Sequence, residues 1–216
     1  VYDSGAAGDY FCKTSNGSVY TGKVWPGKTV FPDFMKEDVR KWWASNHEPL
    51  FKSGVSGIWN DMNDPVLRVN SRIDPSTEDI RQDGVTHAEV RNLYANQEAE
   101  ATQQAFKKFV PEKRPFILTR SAFTGIQKHA ALWTGDNFSS WPQLRENLNM
   151  VLNLGLSGVP FAGADVGANR IGPAGVVEAG DRILKRPDPR QHHFLVRGKA
   201  AWVVADVGLG ADFLEA

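Results

Sequence analysis

Residues 57–65 read GIWNDMNDP, a short apolar run that leads directly into an aspartate, Asp61. A second segment of the same kind, LWTGDN at residues 132–137, leads into Asp136. A short buried strand followed by a polar turn is typical of an α/β sheet, where functional side chains stand at the strand ends. The two segments therefore predict two strands of one sheet, each with a carboxylate at its end.

Predicted strands and helices alternate along the chain before and after these two segments. Short apolar runs predict four strands, at residues 55–59, 115–118, 130–133 and 158–162. Apolar residues at helical spacing predict helices within residues 35–45, 88–109 and 140–155. Such alternation favours an α/β fold with a parallel sheet and helical crossovers, although a closed barrel needs eight strands.

The third predicted helix has the clearest sequence signals. Its start, SWPQ at residues 140–143, matches a capping box, and Gly155 can end it. We expect one buried apolar face on this helix, made of Leu144, Leu148, Val151 and Leu152.

The chain divides into three predicted regions. Residues 1–34 are rich in Gly, Ser and Asp and predict a loop or a small β excursion. Residues 35–167 carry the β/α alternation, whereas residues 168–216 show no such period and stay unassigned. Because the chain opens at Val1 without Met, a basic segment or an apolar leader, we expect it to be a piece of a longer protein.

Composition excludes several classes of protein and partner. The chain has 25 Lys and Arg and 25 Asp and Glu, so the two signs of charge balance. It has no basic stripe that would indicate a nucleic-acid partner and no acidic block that would indicate disorder. No apolar run approaches the roughly 18 residues of a transmembrane helix, so no membrane partner is expected. The lone Cys12 excludes an internal disulfide framework. The histidines do not have the spacing of zinc ligands, so a zinc site is not expected.

Asp61 and Asp136 suit the chemistry of a glycosidase if the fold brings them together. In a retaining glycosidase one carboxylate attacks the anomeric carbon, and a second, about 5 to 5.5 Å away, protonates the leaving oxygen. The alternative is that each aspartate is a turn residue that accepts local backbone N–H groups. Their spacing in the sequence leaves both interpretations open.

Three further side chains belong to the same candidate site. Trp59 and Trp133 stand two or three residues before their aspartates, so strand alternation could point them into the same pocket. The alternative is core packing, the commoner role of a strand tryptophan. Arg120 ends a predicted strand and could bind a carboxylate or sugar hydroxyls, or form a surface ion pair.

Five groups of motifs, in one order, resemble family 31 of the glycoside hydrolases, the retaining α-glucosidase family. They are VWPG with FPDF at residues 24–27 and 31–34, GIWNDMNDP at 57–65, RSAFTGIQ at 120–127, WTGDNFSSW at 133–141 and GVPFAGAD at 158–165. The resemblance covers residues 1 to about 167 and raises the catalytic interpretation of both aspartates far above the turn interpretation.

The resemblance implies a partial (β/α)8 TIM barrel that carries about strands four to seven. Asp61 would be the nucleophile and Asp136 the general acid/base in the hydrolysis of terminal α-linked glucose from an oligosaccharide. The sugar pocket would be lined by Trp25, Trp59, Met62, Arg120 and Trp133, and supported by Asp165. No metal or organic cofactor is implied, and the oligomeric state is left open.

Three departures from the family pattern are expected to loosen the pocket. Asp64 stands where the family usually has Glu, Lys128 and His129 replace an Arg-Tyr pair, and Arg91 replaces a His. The rival interpretation is a truncated, catalytically inactive barrel fragment with no enzymatic function of its own, since half a barrel exposes strand edges.

Overall fold

The computed structural model describes residues 1–24, 27–65, 75–138 and 140–165, and the backbone of residues 68–69, 72–73 and 202–206. The chain begins with helix α1 (Tyr2–Ala7) and strand β1 (Lys13–Thr14), followed by an antiparallel hairpin of β2 (Thr21–Val24) and β3 (Gly27–Val30). Helix α1 was not predicted, because its sequence, YDSGAA, carries no apolar residues at helical spacing. Trp25, one of the predicted pocket residues, lies outside the described residues.

Helices α2 (Glu37–Ser45) and α3 (Glu48–Lys52) lead to strand β4 (Gly57–Asp61). This strand begins and ends two residues later than the sequence predicts, so Asp61 is its last residue rather than part of the turn beyond it. Two short antiparallel pairs follow, β5 (Arg68–Val69) with β6 (Arg72–Ile73) and β7 (Ile80–Gln82) with β8 (Val85–Thr86).

The remaining elements follow the predicted alternation of helices and strands. The long predicted helix is found as α4 (His87–Val90), a 3-10 turn and α5 (Tyr94–Phe109). After it come β9 (Ile117–Thr119), β10 (Ala131–Trp133), α6 (Trp141–Leu156), β11 (Ala162–Gly163) and β12 (Trp202–Asp206).

Five of these strands form one parallel sheet, in the spatial order β11, β10, β9, β4, β12. All four predicted strands belong to it, with α5 between β4 and β9 in the chain and α6 between β10 and β11. The α/β class and the partial barrel are therefore confirmed. The fifth strand, β12, lies in the region without a predicted β/α period, and it pairs with β4 so that Asp206 stands opposite Asp61.

Packing against helix α5 determines which side chains of β4 are free to form a site. Ile58 is fully buried and shares a core with Phe106 of α5 and Ile117 of β9. Asn60 is also fully buried, and its Nδ2 donates to Oγ1 of Thr102 at 3.0 Å. Because side chains alternate along a strand, Trp59 and Asp61 lie on the opposite face of the sheet.

Helix α6 differs from its prediction in the face that it buries. Its start is found as predicted, since Oγ of Ser140 accepts a hydrogen bond from the backbone N–H of Gln143 at 3.2 Å. Only this half of the predicted capping box forms, because the Gln143 side chain donates to Oδ1 of Asn147 and the backbone N–H of Ser140 donates to the carbonyl oxygen of Phe138. The predicted apolar face is wrong, because Leu148 is 63% exposed and Leu152 is 66% exposed. The helix packs instead through Leu154 against a small core, and no described element covers its other side. No helix in the described ranges is long and apolar enough to cross a membrane.

A buried histidine, His87, begins helix α4 beside hairpin β7–β8. Its Nδ1 lies 2.5 Å from Oε1 of Gln82, and the residue is 4% exposed. Burial, together with the nearby charge of Arg91, lowers the pKa of His87 from 6.5 to about 4. The folded protein therefore keeps His87 neutral at pH values where the unfolded chain protonates it.

The lowered pKa of His87 predicts that the folded protein loses stability in acid. Because protonation favours the unfolded chain, the contribution of His87 is complete above pH 6.5 and is lost as the pH falls toward about 4. We expect His87 alone to lower the free energy of unfolding by about 3 kcal/mol across this range. His87→Gln should lack this part of the pH dependence in urea titrations at neutral and acidic pH. Identical pH profiles for the two proteins would contradict the prediction.

Candidate active site

The carboxyl ends of the parallel strands bring the predicted site residues to one rim of the sheet. Asp61 is the last residue of β4, and Arg120 directly follows β9. Trp133 is the last residue of β10, and Asp136 stands three residues beyond it, just after Gly135. Asp165 follows β11 by two residues. Neighbouring parallel strands end on the same side, so these five side chains start from adjacent positions.

Asp61 is a partly buried carboxylate in an uneven electrostatic environment. Its Oδ1 accepts the backbone N–H of Met62 at 2.8 Å and lies 3.3 Å from Nη1 of Arg120. Burial is the main cause that raises the pKa of Asp61, while the Met62 bond and the Arg120 charge oppose the rise. The negative charges of Asp136 and Asp64 raise this pKa further. Asp136, itself exposed, is therefore within electrostatic reach of Asp61.

Met62 turns the chain immediately after β4. Its φ of 55° lies in the left-handed region, which residues with a side chain seldom adopt. At this turn the backbone N–H of Met62 donates to the carboxylate of the preceding residue. The side chain packs, partly buried, against the core that contains Phe34 and Tyr94.

Asn63 joins the loop after β4 to the loop after β9. It is fully buried, its Nδ2 donates to Oγ1 of Thr119 at 2.8 Å, and its Oδ1 accepts from the backbone N–H of Ser121 at 3.1 Å. Oγ1 of Thr119 in turn donates to the carbonyl oxygen of Ser121 at 2.8 Å. This network was not predicted from the sequence, and its only signal was a polar residue at the end of β9, Thr119, and another two residues after β4, Asn63.

The Asn63 network predicts a large loss of stability on truncation. Asn63→Ala removes two hydrogen bonds, so the Thr119 hydroxyl loses its donor and the part-buried backbone N–H of Ser121 loses its acceptor, which should cost about 2 to 3 kcal/mol of unfolding free energy. Asn92, an exposed residue of the 3-10 turn before α5, provides the matched control. Thermal and urea unfolding of Asn63→Ala and Asn92→Ala measure the difference. Equal stability of the two variants would show that the network contributes nothing.

Arg120 lies between two carboxylates at the rim. Its Nη2 donates to Oδ1 of Asp64 at 2.9 Å, in addition to the 3.3 Å contact of Nη1 with Asp61. The side chain is 24% exposed, so this is a partly buried cluster rather than a surface ion pair. Asp64, one carbon shorter than the Glu that the family resemblance leads us to expect, reaches Arg120 directly.

Two tryptophans and Asp165 form a connected wall on the same face as Asp61. The rings of Trp59 and Trp133 meet edge to face, with centroids 4.7 Å apart and an interplanar angle of 87°. Nε1 of Trp133 donates to Oδ1 of Asp165 at 2.9 Å. The carbonyl oxygen of Asp165 accepts from Nδ2 of Asn137 at 3.0 Å and Nδ2 of Asn147 at 3.1 Å. Asp165 is thus held by two asparagines and in turn fixes the orientation of the Trp133 ring.

The site has no obvious place for a metal ion. In the part of the chain that the structure describes, no three His, Cys, Asp or Glu side chains come together as possible ligands. The charged groups at the rim are two carboxylates bridged by one guanidinium, Asp61 and Asp64 with Arg120, together with the exposed Asp136 and with Asp165, which accepts a hydrogen bond from Trp133. Such an arrangement supplies carboxylates for nucleophilic and proton-transfer chemistry.

Comparison with known families agrees with this geometry. Residues 1–179 match the family model described as the glycosyl hydrolases family 31 TIM-barrel domain. The chain belongs to glycosyl hydrolase family 31. Family 31 and the TIM-barrel fold are thus as the motifs and the strand order predict, and the match extends past residue 167, where the recognised motifs end.

Relatives of the chain within family 31 are named α-glucosidases. Alpha-glucosidase 2 of Bacillus thermoamyloliquefaciens is 50% identical over 169 residues, which cover 77% of this chain and 22% of that enzyme. An alpha-glucosidase of Saccharolobus solfataricus is 41% identical over 181 residues, covering 73% of this chain and 26% of that enzyme. The crystal structure of a family 31 alpha-glucosidase from Bacteroides thetaiotaomicron superposes with a TM-score of 0.65 at 41% identity, covering 77% of this chain and 26% of that one. The chain thus spans about a quarter of the length of these relatives.

Proposed function

We propose that this site hydrolyses terminal α-linked glucose residues of oligosaccharides by a retaining double displacement. Asp61 is the nucleophile and Asp136 is the general acid/base. The observation that carries the proposal is the pair of carboxylates at the ends of β4 and β10, close enough for the charge of Asp136 to act on Asp61. The names of the family 31 relatives supply the substrate class.

In the first step Oδ2 of Asp61 forms a bond to the anomeric carbon while the bond from that carbon to the leaving oxygen breaks. Asp136 donates its proton to the leaving oxygen in the same step. The product is a glucosyl ester on Asp61, which no longer carries a negative charge. Without that neighbouring charge, an ionised Asp136 is less strongly repelled.

In the second step Asp136 accepts a proton from water as the water oxygen bonds to the anomeric carbon. The ester bond breaks, Asp61 recovers its charge, and two inversions leave glucose with its original α configuration. Neither step needs a metal or an organic cofactor.

The remaining site residues bind and orient the sugar in this proposal. Trp59 lies on the same face of β4 as Asp61 and packs edge to face against the buried ring of Trp133, so Trp59 supplies the apolar ring surface of this wall. Arg120 and Met62 stand beside the nucleophile, and Asp165 holds Trp133 in place. Trp25 is assigned to the same pocket by the family motif VWPG alone.

A second candidate is a barrel segment without enzymatic function of its own. The observation in its favour is the exposed apolar side of helix α6, where Leu148, Leu152 and Leu156 are 63%, 66% and 87% exposed. Exposed apolar surface of this kind marks a face that another part of a protein covers. On this interpretation the rim residues are correctly arranged but the sugar is not held.

Turnover of 4-nitrophenyl α-glucoside by the purified 216-residue chain distinguishes the two candidates. Release of nitrophenol by the wild type and none by Asp61→Asn, which serves as the blank for contaminating enzyme, supports the hydrolase. Proton NMR of the first-formed glucose should then show the α anomer. Equal background rates from both proteins support the inactive segment, and a β anomer would exclude the retaining mechanism.

A further inference from the structure

Arg120 is held by Asp64 rather than by the proposed nucleophile. The contact of its Nη2 with Oδ1 of Asp64 is a hydrogen bond of 2.9 Å, whereas its Nη1 remains 3.3 Å from Oδ1 of Asp61. A charge-assisted bond to a carboxylate usually closes to about 2.7 to 2.9 Å. The guanidinium therefore forms a close hydrogen bond with Asp64 through Nη2 and a longer contact with Asp61 through Nη1.

The backbone on both sides of this pair is fixed. Asp64 follows Asn63 in the chain, Arg120 precedes Ser121, and Oδ1 of Asn63 accepts the backbone N–H of Ser121 at 3.1 Å. The backbone N–H of Arg120 also donates to the carbonyl oxygen of Asn60 at 3.0 Å. With both backbones anchored, the position of the guanidinium is decided by its side-chain partner.

The two carboxylate oxygens of Asp61 differ in their contacts. The hydrogen bond from the Met62 N–H and the contact with Arg120 both involve Oδ1. An arginine without a second partner prefers to bind both oxygens of one carboxylate in a bidentate pair. Such a pair on Asp61 would engage Oδ2 and make it a weaker nucleophile.

We propose that Asp64 is a positioning residue, which keeps Arg120 on Oδ1 of Asp61 and so leaves Oδ2 to attack the anomeric carbon. The inference rests on the proposed role of Asp61 as the nucleophile. The competing interpretation is an ion pair between Asp64 and Arg120 that only holds the two loops together. Asp64 and Arg120 side chains are 29% and 24% exposed.

A titration of Asp61 tests the inference without requiring turnover. Carboxyl carbon-13 NMR of the labelled 216-residue chain follows the ionisation of Asp61, whose signal is assigned by its absence in Asp61→Asn. Asp64→Asn should lower the pKa of Asp61, because a repelling charge is removed and Arg120 is free to close on the carboxylate. Asp64→Glu should keep the wild-type titration. Glu112→Gln, at an exposed residue of the turn between α5 and β9, is the matched control and should change nothing.

Removal of Arg120 separates positioning from the direct effect of charge. In an Arg120→Met background, Asp64→Asn removes the same repelling charge but has no guanidinium to release. The fall in the pKa of Asp61 should therefore be smaller in that background than with Arg120 present. An equal or larger fall would overturn the inference, and so would an unchanged titration in Asp64→Asn alone.

Kinetics add a second readout where the chain turns over substrate. Asp64→Asn should lower kcat about 10- to 100-fold with little change in KM and move the acid limb of kcat/KM to lower pH, and Asp64→Glu should restore most of the rate. Loss of the Asp64 charge alone also moves the acid limb, so the deciding comparison is again the Arg120→Met background, where the movement should be smaller, and an equal movement contradicts positioning. Absence of turnover in the wild type is a failure of the proposed function alone, and the NMR titrations then decide the inference.

Discussion

Asp61→Asn should reduce the hydrolysis of every α-glucoside to the uncatalysed background, a loss on the order of 10⁴-fold or more. The amide has the size of the carboxyl but cannot form the glucosyl ester, so no leaving group can compensate for it. The measurement is the initial rate on aryl α-glucosides of differing leaving-group acidity, with maltose as a natural linkage. Enzymatic turnover should be abolished for all of them, whatever the leaving group.

Stability provides the control for this variant. The pKa of Asp61 is raised in the folded protein, chiefly by burial, so its ionised form opposes folding at neutral pH. Asp61→Asn removes this unfavourable charge and should unfold at a temperature equal to or above that of the wild type. Inactivity combined with a lower melting temperature would point to misfolding, and residual turnover that depends on the leaving group would exclude Asp61 as the nucleophile.

Asp136→Asn should lose activity in proportion to the need for a proton on the leaving oxygen. For maltose, whose leaving group is a sugar hydroxyl, the rate should fall about 10²- to 10⁴-fold, the usual contribution of general acid catalysis. For dinitrophenyl α-glucoside the first step needs little protonation and should be nearly unaffected. The second step then becomes limiting, so a burst of dinitrophenol should precede a slow steady state.

The comparison between the two substrates is what assigns the role of Asp136. Its exposure makes the substitution structurally mild, and melting of the variant should match that of the wild type. Equal losses on maltose and on the dinitrophenyl substrate would contradict the assignment of Asp136 as the acid. Added azide, which needs no base, should accelerate the slow second step only in this variant.

The parts of the fold that sequence could predict are those set by local pattern. An apolar run that ends in a polar turn predicted β4 and β10, and the SWPQ signal predicted the start of α6, because strand burial and helix capping depend on a few neighbouring residues. The apolar face of α6 was wrong because helical spacing shows that a face is apolar but not which element covers it. Leu154, absent from the predicted face, makes the contact with the core.

The parts of the site that sequence could not predict are pairings between distant residues. The motif order indicated Asp61, Arg120 and Asp136 as members of one site, but Arg120 had two possible kinds of partner. Only the three-dimensional arrangement shows that it bonds Asp64, 56 positions away in the chain, while Asn63 bonds Ser121 at a separation of 58. Asp64 was marked as a departure from the family pattern, and its contact with Arg120 depends on strand order that no local pattern contains.

The left-handed turn at Met62 has a consequence for how the site can vary among sequences. The donor that holds Oδ1 of Asp61 belongs to the main chain, so substitution of the Met62 side chain does not delete it, with proline as the exception. Glycine would adopt the same φ without the steric cost of a side chain. Random mutagenesis at residue 62 should therefore change sugar affinity and stability far more readily than it changes the charge state of the neighbouring aspartate. The orientation of this carboxylate is to that extent protected from mutation, because it is encoded in the backbone.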